Sequence, residues 1–196
     1  MIILIHGLPL SLKSTMASDM AKMLQCGLVA TGFFGIPIYN KTKDLFISSR
    51  NERYKACSEI TSAYVNSGWP VIVEGNFSIP RWRSPIIQLC QDNHIVLTTI
   101  RCWCSNSKEI ERRYAKRKEA SFELDRDATS NAYQEEQKQE VLINKEEVKN
   151  LEQFLQLDVD TGTWQLQEVR EKEAGNYLFI KKALQKWIYY MKTNYE

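Results

Sequence analysis

Apolar and polar positions alternate along the chain in short blocks that match the lengths of strands and helices. Apolar or alternating runs of strand length occur at residues 2–5, 28–30, 69–73, 95–100 and 155–159. Strands that are buried on both faces of a parallel sheet carry nearly continuous apolar runs of this kind. The pattern therefore predicts five parallel strands.

Helical spacing of apolar residues occurs between these runs. Met16 and Met20 are four residues apart with polar residues between them, so an amphipathic helix is predicted from Lys13 to near residue 27. Similar patterns predict helices over residues 50–65, 85–91, 107–119 and 175–194. Because strands alternate with helices, we expect a single α/β domain with a parallel sheet and helices on both faces.

Two segments near the C-terminus have a less regular pattern. Residues 120–150 are polar and dense in charge, which indicates a solvated helix or a mobile segment. The last helix carries apolar residues at helical spacing. We expect five of them to pack against the body of the domain: Leu178, Phe179, Ala183, Trp187 and Tyr190.

The composition argues against several classes of protein. The net charge is only +2, so it does not favour a long nucleic acid as the partner. No apolar run approaches the roughly eighteen residues that span a bilayer, and His6 and Lys13 interrupt the first run too early for a signal peptide. The five cysteines are an odd number, which favours reduced thiols and a cytoplasmic protein. Cys102 and Cys104 look like half of a metal site, but no second pair complements them.

The first predicted strand is followed by a phosphate-binding signature. Gly7, Lys13 and Ser14 occupy the matching places of the pattern Gly, four residues, Gly, Lys, then Ser or Thr. Loop N–H groups and the start of the next helix would face the phosphates, Lys13 would reach the outer ones, and Ser14 would bind Mg²⁺. An ordinary helix start is the alternative. The candidate nucleotide-binding residues are Gly7, Leu8, Pro9, Leu10, Ser11, Leu12, Lys13, Ser14 and Thr15.

Two loop positions depart from the usual glycines. The loop resembles Gly-Leu-Pro-Gly-Ser-Gly-Lys-Ser-Thr, a form common in small P-loop kinases, but Leu10 and Leu12 replace its two internal glycines. A leucine held at φ > 0 costs about 1–2 kcal/mol, and a bulky side chain would narrow the phosphate cradle. The same residues that indicate the fold therefore also raise the hypothesis of an impaired site.

The wider sequence resembles the predicted-kinase branch of the P-loop fold. That branch includes polynucleotide 5′-hydroxyl kinases, zeta-toxin-like kinases and chloramphenicol phosphotransferase-like enzymes. The resemblance covers roughly the first 160 residues. It implies a P-loop NTPase fold, a lid region at about residues 105–150, ATP as the phosphoryl donor and Mg²⁺ as the metal ion.

The resemblance assigns roles to three residues beyond the loop. Glu74 ends an apolar strand and would orient Mg²⁺ or accept the proton of an attacking hydroxyl. Arg113 and Arg117 are four residues apart and so share one helix face, and they match lid arginines that contact donor phosphates. The alternatives are a solvated acidic residue at a strand end and a surface helix in which Glu109 supports Arg113.

Weaker matches complete the candidate site. Asp160 and Thr161 follow the last predicted strand, where relatives place an Asp-Thr pair beside the adenine. Arg81 and Arg83 follow the Glu74 strand and would hold an anionic acceptor, or else be solvated surface arginines. The acid that relatives often carry after the second strand is absent, and Asp44 lies well downstream.

Two functional hypotheses follow. The first is an ATP-dependent kinase that transfers the γ-phosphoryl group to a hydroxyl of a small molecule or nucleotide. The second is an impaired P-loop protein that binds a nucleotide or a protein partner. A nucleic acid end is a less favoured acceptor, although Phe33, Phe34 and Tyr39 would be able to stack a base if they were not packed in the core or lid.

Overall fold

A computed structural model describes residues 1–35, 50–120, 130–172 and 177–195. Its centre is one sheet of six strands in the order β2-β3-β1-β4-β5-β6. The first five strands in this order are mutually parallel, as predicted, whereas β6 is antiparallel to β5. The strands are β1 (Ile2–Gly7), β2 (Gly27–Ala30), β3 (Val71–Glu74), β4 (Leu97–Trp103), β5 (Phe154–Asp160) and β6 (Gln165–Lys172).

The sixth strand corrects the prediction of five. Its sequence, Gln-Leu-Gln-Glu-Val-Arg-Glu-Lys, is mostly polar, because an edge strand does not need apolar side chains on both faces. Leu166 is its partly buried contact with the core beneath β5. A tight connection joins β5 to β6, with Trp164 in a left-handed conformation at φ 53°.

Helices cover both faces of the sheet, as the alternation of patterns predicted. The helices are α1 (Lys13–Leu24), α2 (Arg50–Asn66), α3 (Pro80–Asp92), α4 (Ser107–Ala120), α5 (Ser130–Gln139) and α6 (Tyr177–Tyr195), and a short 3-10 helix covers Thr31–Gly35. The third helix starts five residues before the predicted residue 85, because a proline at its first position is compatible with a helix start.

Alternating side chains of the strands divide the core in two. Ile3 and Ile5 of β1 face α1 and α6, whereas Ile2 and Leu4 face α2 and α3. The indole N–H of Trp187 donates to the Asp19 carboxylate at 3.0 Å and so links α6 to α1. Each face of β1 is therefore sealed by a different pair of helices.

The packing of α6 differs from the expectation in its phase. Trp187 and the partly buried Ala183 pack on the core as predicted, but Leu178, Phe179 and Tyr190 are more than half exposed. The buried positions are instead one residue along the helix, as is clearest at Ile180, Leu184, Ile188 and Met191. Apolar residues occur around most of this helix, so spacing alone did not identify its buried face.

Residues 120–150 were predicted to be a solvated helix or a mobile segment, and residues 121–129 of them lie outside the described residues. Most side chains of residues 133–150 are exposed, as predicted for a solvated segment, but a few anchor it to the domain. Tyr133, Ile143 and Val148 are buried, and so is the carboxylate-bearing Glu136. The backbone N–H of Val141 donates to the carbonyl oxygen of Ser78 at 2.8 Å. Charged residues reach the interior here because they pair with arginines of the body, which composition alone does not reveal.

None of the helices in the described part of the chain is both long enough and apolar enough to cross a membrane.

Candidate active site

The candidate site lies where two neighbouring parallel strands end. Strand β1 ends at Gly7 and pairs with β3, which ends at Glu74, with Ile5 opposite Glu74 in the register. Helix α1 begins at Lys13, so residues 8–12 form the connecting loop. Crevices at the carboxyl ends of parallel strands are the usual ligand sites of open α/β sheets.

Gly7 is required at the start of the loop. Its φ of 127° is a conformation that residues with a side chain rarely adopt, and a Cβ atom there would lie 2.0 Å from the carbonyl oxygen of Cys102. Its N–H donates to the carbonyl oxygen of Asn76 at 3.1 Å. The loop therefore starts tightly fixed between β3 and β4.

Leu10 and Leu12 adopt the left-handed backbone that glycine favours. Their φ angles are 60° and 63°. Leu10 packs against a small apolar cluster that contains Ile110 of α4 and Tyr133 of α5, and Leu12 packs against the core beneath α1. These contacts offset a backbone cost of about 1–2 kcal/mol per residue. The loop thus has its turns at the two positions where the motif has glycine.

Lys13 lies inside the loop and close to an acid. Its ammonium donates to the Leu8 carbonyl oxygen at 2.5 Å, which also accepts from the Ser11 hydroxyl at 2.6 Å. Burial lowers the pKa of Lys13, and the negative charge of Glu74 opposes that effect. Burial in turn raises the pKa of Glu74, opposed by Lys13 and by a hydrogen bond from Ser14.

The Ser14 and Glu74 side chains fit the coordination that Mg²⁺ prefers. Magnesium takes oxygen ligands and usually keeps several waters, so one hydroxyl and one carboxylate are sufficient protein groups. Ser14 is exposed and Glu74 is buried, and Ser14 is close enough to lower the pKa of Glu74. Pro9 is half-buried and Thr15 is exposed at the same end of α1.

Arg113 connects α4 to the loop and to the end of the sheet. It is buried, and its guanidinium donates to the Glu109 carboxylate at 2.7 Å, to the Leu10 carbonyl oxygen at 3.0 Å and to the hydroxyl and carbonyl oxygens of Thr161. The guanidinium also lies 6.0 Å from the ring centre of Trp164. The alternative in which Glu109 supports Arg113 therefore describes a real contact, but Arg113 is no surface residue.

Arg117 lies one turn further along α4 and is exposed. Its positive charge is one of the influences that lower the pKa of Lys13, after the larger effect of burial. Arg117 follows Arg113 by four residues in α4, so the two side chains lie on the same face of that helix.

Asp160 and Thr161 lie at the end of β5 in a turn held by hydrogen bonds. The Asp160 carboxylate accepts from the backbone N–H groups of Ser105 and Gly162 and from the Thr163 hydroxyl, at 2.8–2.9 Å. Burial alone would raise the pKa of Asp160, but these hydrogen bonds hold it below its ordinary value. Thr161 donates to the Trp103 carbonyl oxygen at 3.0 Å while it accepts from Arg113.

The two arginines predicted to bind an anionic acceptor, Arg81 and Arg83, differ in their exposure to solvent. Arg83 is fully buried, and its guanidinium forms two bonds of 2.8 Å with Glu147 and two more with the carbonyl oxygens of Phe77 and Val141. Its donors are therefore committed to the protein interior. Arg81 is exposed and lies 5.4 Å from the ring centre of Trp82, outside that network.

Sequence reasoning missed a cluster around Glu136. Glu136 of α5 is buried and accepts from Arg50 of α2 at 2.7 Å, from the Asn76 amide at 3.3 Å and from the Ser78 hydroxyl at 3.2 Å. Arg50 and Glu136 are 86 positions apart in the chain, and neither belongs to a recognisable motif. Only the tertiary fold brings them together.

The aromatic residues after β2 occupy different environments. Phe33 is 57% exposed, whereas Phe34 is half-buried against the core beneath α2 and α3. Tyr39 and Asp44 lie outside the described residues.

Several solved structures of kinases resemble this chain in fold. A search of family models and one of curated proteins gave no match. Among solved structures, a putative kinase from Chloroflexus aurantiacus matches with TM-score 0.60 and 16% identity, over 94% of this chain and 96% of that one.

Two further structures match less closely. A sugar kinase from Janibacter matches with TM-score 0.54 and 14% identity over 80% of this chain and 84% of that one. A chain of the PezAT toxin–antitoxin system of Streptococcus pneumoniae matches with TM-score 0.54 and 11% identity over 99% and 87%. At such identities the likeness establishes the fold, which is the predicted α/β fold of P-loop NTPases.

Proposed function

We propose that the chain is an ATP-dependent kinase that transfers the γ-phosphoryl group to a hydroxyl of a small molecule or nucleotide. The observation that carries this proposal is the meeting of Lys13, Ser14 and Glu74 at the ends of β1 and β3. The kinases among the structural matches support this proposal. Its placement in the predicted-kinase branch rests on the sequence resemblance alone. Its partners would be a nucleotide donor and a small hydroxyl-bearing acceptor.

Three cationic side chains would bind the phosphates or position the loop that binds them. Lys13 would leave the Leu8 carbonyl oxygen, to which it donates at 2.5 Å, and bind the outer phosphate oxygens. Arg117 would add positive charge from the exposed side of α4. Arg113, whose donors hold Leu10 and Thr161, would position the loop and α4 for that contact.

Glu74 would take the proton of the acceptor. In the transfer, the bond between the γ-phosphorus and the bridging oxygen breaks, and the acceptor oxygen forms the new bond to phosphorus. Burial raises the pKa of Glu74, which makes its carboxylate a better proton acceptor. Ser14 would hold Mg²⁺, which when bound neutralises charge on the phosphates, and Glu74 would orient that ion through water.

Titration calorimetry with ATP and Mg²⁺ tests the proposal without knowledge of the acceptor. We expect the wild type to bind at submillimolar nucleotide and Lys13→Ala to lose at least tenfold in affinity, because the loop loses its only lysine. Lys22→Ala, on the exposed side of the same helix, is the matched control and should bind as the wild type does. Absence of wild-type binding at millimolar ATP would overturn the proposal.

A second candidate function is nucleotide or partner binding without transfer. The observation that favours it is the pair of leucines at φ 60° and 63° in the phosphate loop. Slow hydrolysis of ATP, with water as the acceptor, separates the two functions. A kinase should release phosphate in a reaction that Glu74→Gln abolishes while ATP still binds. Binding with no release in the wild type would favour the sensor or scaffold.

A further inference from the structure

Glu136 lies at the centre of a group of hydrogen-bond donors from different parts of the chain. Arg50 comes from the first turn of α2, Asn76 and Ser78 come from the connection between β3 and α3, and all three donate to the Glu136 carboxylate at 2.7–3.3 Å. One cationic and two neutral donors around two oxygens form the environment that proteins provide for carboxylate and phosphate groups. The group will be called the Arg50 cluster.

The Arg50 cluster adjoins the candidate reaction centre. The carbonyl oxygen of Asn76 accepts from the N–H of Gly7, the first residue of the phosphate loop, at 3.1 Å. The negative charge of Glu136 also acts to raise the pKa of Lys13, against the larger depressing effect of burial. The Glu136 carboxylate therefore lies within electrostatic reach of the lysine that would face the transferred phosphoryl group.

Other carboxylate–arginine pairs of the same segment differ in kind. Glu140 holds Arg101 through two bonds of 2.8 and 2.6 Å, and Glu147 holds Arg83 through two bonds of 2.8 Å. The side chains of these arginines are 14% and 0% exposed. Paired bonds between buried groups are typical of permanent structural contacts.

Arg50 differs from Arg83 and Arg101 in its exposure and in its number of bonds to the carboxylate. Its side chain is 48% exposed, and it contacts Glu136 through Nη1 alone. The Glu136 side chain is only 7% exposed, but the Arg50 guanidinium faces solvent, so this single contact contributes little to stability and Arg50 can exchange its partner. The contrast indicates that Glu136 is a replaceable occupant of the Arg50 cluster, whereas Glu140 and Glu147 are fixed parts of the fold.

We propose that Arg50, Asn76 and Ser78 form a subsite for an oxyanion of the acceptor, and that the Glu136 carboxylate occupies it as an internal substitute. The ligand class is a hydroxyl compound that also carries a carboxylate or a phosphate group. Its anion replaces Glu136 on the three donors and neutralises Arg50 beside the phosphate loop. The description of the ligand as the acceptor rests on the proposed kinase function, but the anion site itself does not.

The test uses anions alone, without nucleotide. Inorganic phosphate and acetate are titrated separately, at constant ionic strength, into wild type and Glu136→Ala, and the side-chain amide signal of Asn76 is followed by NMR. If Glu136 holds the cluster for nine-tenths of the time, its removal raises the affinity for the anion about tenfold. The anion that binds more tightly identifies the acceptor's acidic group. No gain for either anion would overturn the proposal.

Three further variants locate the bound ion. Glu136→Ala with Arg50→Gln should lose the gain, whereas Glu136→Ala with Lys13→Ala should keep it. A gain that depends on Lys13 and survives loss of Arg50 would place the ion in the phosphate loop and overturn the proposal. Glu140→Gln is the control, because it also takes a carboxylate of this segment away from its arginine. Arg101 of β4 keeps Asp158 at 3.4 Å, so this variant should show no gain. Calorimetry with ATP reports on the kinase function separately, so either idea can fail alone.

Discussion

The guanidinium of Arg113 donates a hydrogen bond of 3.0 Å to the backbone carbonyl oxygen of Leu10. This contact joins α4 to the strained loop between β1 and α1. The same guanidinium holds Thr161 at the end of β5, so three separate parts of the chain meet on one side chain. The loop conformation and the position of α4 are therefore coupled.

This coupling predicts that Arg113 stabilises the fold through its planar fork. Arg113→Lys keeps the charge but cannot reach Glu109, Leu10 and Thr161 together, because the three N–H donors of an ammonium all extend from one nitrogen. We expect a loss of about 1–3 kcal/mol in the free energy of unfolding, since buried acceptors are left without donors. Urea denaturation followed by circular dichroism measures the change.

Arg112→Lys is the control for this substitution. Arg112 is 51% exposed and pairs with the same carboxylate, Glu109, at 2.7 Å. Exposed pairs contribute little, so the change should stay within about 0.5 kcal/mol. Equal effects of the two substitutions would show that Arg113 acts only as a charge beside Glu109.

The backbone of Leu12 leads to a second prediction, a reversal of the usual order of alanine and glycine. Leu12 precedes α1 with φ 63° and ψ 20°. Alanine there keeps the steric cost of a Cβ atom, which is about 1–2 kcal/mol, whereas glycine removes it. Both variants lose the same leucine contacts, so Leu12→Gly should be more stable than Leu12→Ala by about 1 kcal/mol in urea denaturation.

An ordinary helical site on the same helix serves as the reference. Glycine and alanine at Lys22, which is exposed near the end of α1, should show the usual order, with alanine more stable by about 0.5–1 kcal/mol. If alanine were also the more stable residue at position 12, the strained loop conformation would be wrong.

Much of the fold and part of the site could be predicted from the sequence, because both depend on local signals. Apolar runs marked the buried strands, and Gly7, Lys13 and Ser14 stand at fixed spacings after the first of them. A motif that depends on one turn of backbone is visible in consecutive residues. For that reason a phosphate-binding role could be predicted for this loop even with two leucines in place of glycines.

The remaining features depend on contacts between distant positions. The polar edge strand β6 lacks the apolar run that marks a buried strand. Arg50 and Glu136 are 86 positions apart, and no sequence pattern around either residue predicts that they pair. From the sequence alone, charged residues were expected at the surface. Several of them are buried instead, because the fold brings an oppositely charged partner next to each.

A third prediction separates the two arginines that follow β3. Arg83→Leu leaves Glu147 without its partner in a largely buried position, with an expected loss of about 3–5 kcal/mol in the free energy of unfolding. Arg81→Gln, two positions away on the exposed side of α3, should change stability by no more than about 0.5 kcal/mol. Thermal and urea denaturation of the two variants check this difference. A mild effect at Arg83 would mean that its contacts with Glu147, Phe77 and Val141 do not persist in solution.

A fourth prediction concerns His6, which is buried in β1 beneath the site. Its Nε2 atom has no hydrogen-bond partner in the part of the chain that the structure describes. Burial, together with the positive charges of Arg83, Arg101 and Lys13, lowers the pKa of His6 from 6.5 to about 3. The imidazole is therefore neutral in the folded protein throughout the ordinary pH range.

The sign of the pH dependence follows from the two pKa values. Between pH 6.5 and about 3 the unfolded chain protonates His6 and the folded chain does not, so stability falls as the pH falls through this window. From pH 7 to pH 5 the loss due to His6 amounts to about 2 kcal/mol. His6→Gln cannot be protonated and should lose that much less than the wild type over the same interval. Urea denaturation of both proteins at pH 7 and pH 5 measures the difference, in which acid effects of the shared carboxylates cancel. Parallel losses in the two proteins would mean that His6 can be protonated within the fold, with a partner or water reaching its Nε2 atom.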